Sequence, residues 1–325
     1  KSIIMTKKLR IVFMGTPTFA VTVLDRVVKS GHQIVGVVTA PDRPSGRGQQ
    51  IRKSDVKVYA EDQGLNILQP LNLKDDSFIN PLKELNADVF IVVAFRMLPA
   101  IVWKIPPMGT INLHASLLPD YRGAAPINWA IMNGEKKTGV TTFFINEVID
   151  TGDIIKRKTA EISNDMTAGE LHDHLMLIGS DLIDETINEL VVGKTTRQNQ
   201  SLDTLSTFNA APKIFKNDCQ IDWTDSLDAV YNKIRGLSPY PGAWCVLKNT
   251  TKNKDVSFKL YHTRKTDILV KEGEKTSLSA TEDGILFPCS DYHLLVIDFQ
   301  MEGKRRLNFK DFLAGNSIED FVIIQ

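Results

Sequence analysis

The chain has no excess charge of either sign: 39 lysines and arginines balance 39 aspartates and glutamates across 325 residues. That excludes a positive field over the whole surface, so any polyanion must be met by a local patch. Cysteine is scarce, and its three residues (Cys219, Cys245, Cys289) lie far apart. An odd, scattered set forms no disulfide framework and fits a reducing compartment. No apolar run approaches the roughly 20 residues of a membrane span. Lys1–Lys8 lacks the apolar stretch of a signal peptide, so a cytoplasmic protein with no membrane partner is expected, with Met5 as its natural start. The close pair His172 and His174 has no Cys or carboxylate companions at ligand spacing, and no metal is expected. Two catalytic signatures are also missing. Only Gly15 of a three-glycine dinucleotide fingerprint is present, with Pro17 in the second glycine's place, which argues against a dehydrogenase. No Ser or Cys sits in a G-x-S-x-G elbow, so direct transfer is favoured over a covalent acyl-enzyme.

What remains has ordinary globular composition, 42% hydrophobic and 24% charged, on a chain long enough for two domains. Short apolar runs at Leu9–Met14, Ile34–Thr39, Asp88–Ala94 and Gly109–His114 read as buried strands. Between them lie helical stretches, the first capped by Thr16 with Pro17 at its opening position. Residues 139–145 and 153–162 alternate like strands and suit an antiparallel extension of the sheet. A long helix over 167–190 opens with Thr167 and Glu170 in capping-box spacing. This alternation predicts an α/β fold, a Rossmann-like doubly wound sheet. From 194 the chain turns polar, and beyond 207 one helix and several short alternating segments predict a small β-barrel or sandwich, OB-like in its simplest form. The expected organisation is a catalytic domain over 5–193, a linker over 194–206 and a C-terminal domain over 207–325.

The most informative segment is Ile111–Gly123. Strand alternation puts Asn112 and His114 on one face, and a turn marked by Pro119 and Gly123 follows. A histidine at a strand end is commonly structural. Here an Asn shares its face, ligands of such sheets bind at strand carboxyl ends, and the turn Asp150-Thr151-Gly152-Asp153 offers a carboxylate. Together these suit acyl transfer to an amine. Asn112 would hold the oxyanion, His114 would move the proton, and Asp150 would fix the imidazole tautomer and raise its basicity. Separately, Arg43–Lys53 holds four cations (Arg43, Arg47, Arg52, Lys53) and no acid, punctuated by Pro and Gly. It reads as a protruding loop whose arginine forks suit phosphates and base edges.

These residues carry a resemblance. Asn-x-His, Ser116-Leu117-Leu118-Pro119, Tyr121-Arg122-Gly123 and Asp150-Thr151-Gly152-Asp153 look like the formyltetrahydrofolate-dependent transferase family. Phe13-Met14-Gly15-Thr16-Pro17, the 41–48 segment, Ile221-Asp222-Trp223 and Arg235–Trp244 are similar to the branch that acts on an aminoacylated tRNA. The likeness runs from about residue 9 to at least 247. It departs at Asp120-Tyr121, where many members carry a basic residue and Trp, and weakens over 207–216 and after Lys248. The resemblance implies that Asn112, His114 and Asp150 are the catalytic trio. It also implies that Ser116, Leu117, Leu118 and Pro119 form the folate-binding turn, and that the loop around Arg43 engages a tRNA acceptor stem. The implied reaction moves a formyl group from 10-formyltetrahydrofolate to the α-amino group of methionyl-initiator tRNA through a tetrahedral intermediate, for translation initiation, by a monomer.

Residues 206–325 contain 16 basic and 16 acidic side chains. Within 246–266, however, Lys248, Lys252, Lys254, Lys259, Arg264 and Lys265 face only Asp255, and Lys304-Arg305-Arg306 forms a second cluster. A tRNA-docking role for this region is expected, against the alternative of ordinary surface lysines. Three rival readings are a sugar-nucleotide formyltransferase, a formylfolate hydrolase, and a non-catalytic RNA-binding protein. The first two give the arginine loop no role, and the third gives none to the trio.

Overall fold

The computed structural model describes residues 8–45, 50–200 and 208–324. Met5, Arg47 and residues 201–206 of the expected linker lie outside them. The chain divides into two compact units, one built from residues 1–123, 137–161 and 172–211, the other from 124–136, 162–171 and 212–325.

The first unit begins with β1 (Arg10–Gly15), α1 (Thr18–Lys29) and β2 (Gln33–Val38), followed by a ribbon of β3 (Arg43–Ser45) and β4 (Gln50–Arg52). Next come α2 (Asp55–Asp62), β5 (Ile67–Leu68), α3 (Asp76–Glu84), β6 (Val89–Val93), α4 (Ala100–Trp103), β7 (Thr110–His114) and β8 (Arg122–Gly123). After α5 (Pro126–Met132), β9 (Lys137–Phe144) and β10 (Ile154–Glu161) return to the sheet; α6 (Ala168–Val191) and β11 (Ala210–Ala211) follow. One seven-stranded sheet results, in the order β10-β9-β7-β6-β1-β2-β5. β1, β2, β5, β6 and β7 pair in parallel, whereas β9 and β10 are antiparallel. The central strands are buried along their length, β6 entirely, because helices cover both faces of such a sheet. Strand order reverses beside β1, the kind of position at which α/β sheets bind ligands.

Local signals explain most element ends. The Ser54 hydroxyl accepts from the Lys57 N–H at 3.0 Å and starts α2. Thr167 and Glu170 exchange side-chain-to-backbone bonds of 2.8 and 3.3 Å ahead of α6, the expected capping box. Two details differ from the sequence reading. Helix α1 starts one residue late: Pro17, not Thr16, occupies the cap position, and its carbonyl accepts from Ala20 and Val21. The segment expected as a loop pairs as a ribbon, with Arg43 opposite Arg52. Strands of three residues are too short for a period-2 pattern to register.

In the second unit α5 meets α7 (Leu227–Leu237), where the Asn128 amide donates to the Gly236 carbonyl at 2.7 Å. The remainder is an antiparallel sheet of β12 (Ala243–Asn249), β13 (Lys254–Leu269), β14 (Ser279–Ala280), β15 (Ile285–Pro288), β16 (Tyr292–Met301) and β17 (Arg306–Asn308), completed by β18 (Phe321–Ile323) after the short helix α8 (Phe309–Leu313). Its order is β14-β15-β16-β13-β12-β18, with β17 on β16, and a bridge between Ser277 and Val322 brings its two ends together. The sheet thus curls into a half-barrel, closed over Phe258, Phe299, Phe312 and Phe321, whose rings pack mostly edge to face. Among the described residues no helix is long and apolar enough to cross a membrane.

Candidate active site

Strand β7 carries Asn112 and His114 two residues apart, hence on one face. His114 is buried, with 7% of its surface exposed; Asn112 is half-buried. The chain then makes a turn that is welded to β9 and β10. Thr141 Oγ1 donates to the Ser116 carbonyl (2.7 Å) and accepts from the Leu118 N–H (3.1 Å). Ser116 Oγ donates to the Asp120 carbonyl (2.6 Å), and Arg157 Nε donates to the Leu118 carbonyl (2.8 Å). The Leu118 side chain packs on Phe143 and Ile154, and the Leu118–Pro119 peptide is cis. Ser116 and Leu118 therefore build the turn from within, while Leu117 and Pro119 are half-buried.

Beyond the turn, Tyr121 takes a positive φ of 58°, and its carbonyl accepts from His114 Nε2 at 2.8 Å. A carbonyl can only accept, so the proton of the neutral imidazole sits on Nε2 and the lone pair on Nδ1. Nδ1 lies 3.8 Å from Asp150 Oδ2. The sequence reading gave Asp150 the task of fixing the tautomer; the Tyr121 backbone performs it instead. Asp150 sits beside the basic nitrogen, an ion-pair distance from it once it is protonated. The same Oδ2 accepts from the Gly123 N–H at 2.9 Å, and Asp150 itself adopts φ 55°. Two glycines make this approach feasible. Gly123 (φ 124°) lies so close to the Ala211 carbonyl that a Cβ there would collide with it, and a Cβ on Gly152 would run into the Phe144 carbonyl. Gly123→Ala is accordingly expected to destabilise the fold by about 2 kcal/mol or more, combining strain at positive φ with the backbone clash. Chemical denaturation measures it, and an unchanged midpoint would contradict the close packing of β8 on β11.

Among the described residues the Asn112 side-chain amide has no hydrogen-bond partner. An unengaged donor beside an imidazole with an open Nδ1 and a nearby carboxylate can polarise an acyl oxygen and handle an amine proton. Among the described residues no group of three or more His, Cys, Asp or Glu side chains is arranged to hold a metal.

Of the four expected tRNA cations, the three among the described residues have different fates. Lys53 Nζ donates to Glu61 at 2.7 Å, which raises its pKa. Arg43 and Arg52 are exposed, face each other across the ribbon, and have no acidic partner among the described residues. Like charges directly opposite on neighbouring strands are unfavourable. Arg96, absent from the sequence reading, lies near Arg43. Burial lowers its pKa, the charge of Arg43 lowers it further, and its guanidinium is anchored on the Pro70 and Leu71 carbonyls. The sequence offered no signal for the other missed contributors, the Tyr121 carbonyl and the Gly123 N–H, because every residue carries such groups.

The "Formyl transferase" family matches residues 9–187, and "Formyl transferase, C-terminal domain" matches residues 213–317. A methionyl-tRNA formyltransferase of Flavobacterium psychrophilum is 49% identical over 321 residues, covering 98% of this chain and 99% of its own. Among solved structures, the N-formyltransferase of Helicobacter canadensis, in complex with folinic acid and dTDP-3-aminofucose, superimposes with a TM-score of 0.63 at 18% identity, covering 92% of this chain and all of that one. HypX of Aquifex aeolicus in complex with tetrahydrofolic acid gives 0.63 at 16% identity and covers 94% of this chain. This chain spans 47% of the HypX chain, so the likeness is to about half of that protein.

Proposed function

This chain belongs to the formyl transferase family; we propose that it formylates methionyl-initiator tRNA with 10-formyltetrahydrofolate as donor, by direct attack of the amine, with Asn112, His114 and Asp150 as the catalytic residues. The observation that carries the assignment is the Tyr121 carbonyl on His114 Nε2, which leaves Nδ1 open towards Asp150. The α-amino group of methionine attacks the formyl carbon, forming a C–N bond and a tetrahedral intermediate whose oxygen is held by the Asn112 N–H. His114 Nδ1 takes the proton the amine loses. It returns that proton to the folate nitrogen as the old C–N bond breaks. The Asp150 carboxylate balances the transient imidazolium, and the 3.8 Å gap closes as charge develops, as catalytic hydrogen bonds commonly do on binding. The donor lies against the Ser116–Pro119 turn. There the backbone-welded shape, with Leu117 and Pro119 half-buried, supports it better than the Ser116 hydroxyl, which is engaged with Asp120.

The tRNA is met at two places. Arg43, Arg52 and Arg96 meet the acceptor end, and Arg47, outside the described residues, is assigned to the same partner on its charge alone, while Lys53 steadies the ribbon through Glu61. Residues 207–325 dock the body of the tRNA, leaving catalysis to 5–193 and connection to 194–206. In the C-terminal unit Lys265 and Arg306 pair with Asp228 and Asp298. Lys259 instead lies in a cross-strand row with Trp244 and Gln300, and Lys216 is 5.9 Å from the Trp244 ring. Cations interleaved with an aromatic suit a nucleic acid strand. The working unit is a cytoplasmic monomer.

The test is a transfer assay with 10-formyltetrahydrofolate and methionyl-initiator tRNA, methionyl-elongator tRNA or a nucleotide-linked amino sugar as acceptor. Formylation of the initiator alone is expected, and transfer to the sugar would overturn the tRNA assignment. Exchanging Arg43 and Arg52 together for alanine should raise KM for the tRNA at least ~10-fold, reduce the salt slope of binding by about 2, and leave donor affinity unchanged. Parallel loss of donor binding would remove the ribbon from the tRNA site.

A further inference from the structure

Gln200 lies in the stretch whose polar composition suggests a connector, yet it is 3% exposed. Its side chain uses every hydrogen-bonding capacity an amide has. Nε2 donates to the Asp150 carbonyl (3.1 Å) and the Gly152 carbonyl (2.8 Å). Oε1 accepts from Arg122 Nε (3.2 Å) and Nη2 (2.6 Å). The orientation is unambiguous, because carbonyls only accept and a guanidinium only donates.

These four bonds join the two short segments on which the imidazole depends. Tyr121–Gly123 supplies the carbonyl under His114 Nε2 and the N–H under Asp150. The Asp150–Gly152 turn supplies the carboxylate. Asp150 holds a left-handed φ of 55°, a conformation that persists only where its surroundings enforce it. We propose that Gln200 is a positioning residue for formyl transfer, its amide clamping the Asp150 turn to Arg122 and so setting the approach of the carboxylate to His114 Nδ1. This rests on the reading of His114 and Asp150 as the pair that handles the proton.

The clamp is separable from the anchoring of its own segment. Gln198 exchanges two 2.8 Å backbone bonds with Ile154 and accepts from Arg157 Nη1 at 3.0 Å, and the Arg197 guanidinium covers the Phe144 ring at 3.9 Å. Farther along, the Tyr121 N–H donates to the Asn209 carbonyl at 2.7 Å, and β11 pairs with β8. The chain therefore stays in place when the Gln200 amide is removed, and what loosens is the Asp150 turn.

Two variants of the full-length protein test this. Gln200→Ala deletes the clamp. Gln200→Glu keeps its shape and its contact with Arg122 but turns an oxygen against two carbonyl oxygens. Both are expected to lower kcat ~10–100-fold with KM for donor and tRNA within about 3-fold, the signature of misplaced catalytic groups. Because the effect passes through Asp150, adding Gln200→Ala to Asp150→Asn should lower the residual rate by less than ~3-fold, since residues acting as a unit are not additive. A folded Gln200→Ala protein with wild-type kcat overturns the proposal, and so does full additivity in the double variant. If Gln200→Ala does not fold, Gln200→Glu alone decides by the same criteria. Should Asp150→Asn itself keep wild-type kcat, the assignment of the proton-handling pair fails instead.

Discussion

Replacing His114 with alanine is expected to lower kcat for formyl transfer by ~10²–10⁴, the usual contribution of a positioned acid–base group. KM for the donor should stay within about 3-fold, because the proposed role of the side chain is proton transfer and not contact with the Ser116–Pro119 turn proposed to hold the donor. The expectation depends on the Tyr121 carbonyl. It places the hydrogen of the neutral ring on Nε2, so the basic nitrogen is Nδ1, beside Asp150. Nitrogen-15 NMR of the resting protein should therefore show His114 as the Nε2–H tautomer. A rate loss below about ten-fold would fall short of the general acid–base range and leave proton transfer to solvent. An Nδ1–H tautomer would reverse the geometry from which the mechanism is built.

The second large effect is expected at Asn112. Its amide is half-buried on the same face as His114 and has no hydrogen-bond partner among the described residues. Asn112→Ala should leave the melting temperature nearly unchanged. The variant should lose ~10²–10³ in kcat, about 3–4 kcal/mol, as removal of an oxyanion donor does elsewhere. A buried structural amide would behave in the opposite way, with stability falling and the rate per folded molecule preserved. Measuring kcat beside thermal unfolding on one preparation separates the two. A wild-type rate in a destabilised protein would remove Asn112 from the chemistry.

Both residues are legible in the sequence because their signal is local. Period-2 alternation makes Asn112 and His114 face the same way in any strand. The same holds for the buried strand β6, for Ser54 at the start of α2 and for the box at Thr167 and Glu170. In each case the cause lies within a few residues of its effect. The arginine segment is half legible. Its charge is plain, but its pairing as a ribbon is not, and the Lys53–Glu61 bond that removes one cation joins residues eight apart, one between β4 and α2 and the other within α2.

Sequence by itself determined the fold class, a layered α/β sheet with a curled β partner, and the residue types found at the candidate site. Hydrophobic periodicity and turn residues are written in the order of the chain. Tertiary structure alone decided which nitrogen of His114 is basic, why Asp150 can stand beside it, and why a glutamine in a polar connector is buried. Those outcomes depend on backbone atoms that every residue possesses, the Tyr121 carbonyl, the Gly123 N–H and the carbonyls of Asp150 and Gly152, brought together from segments up to 50 positions apart. A carbonyl has no identity in a sequence and acquires one only when folding places a particular donor against it.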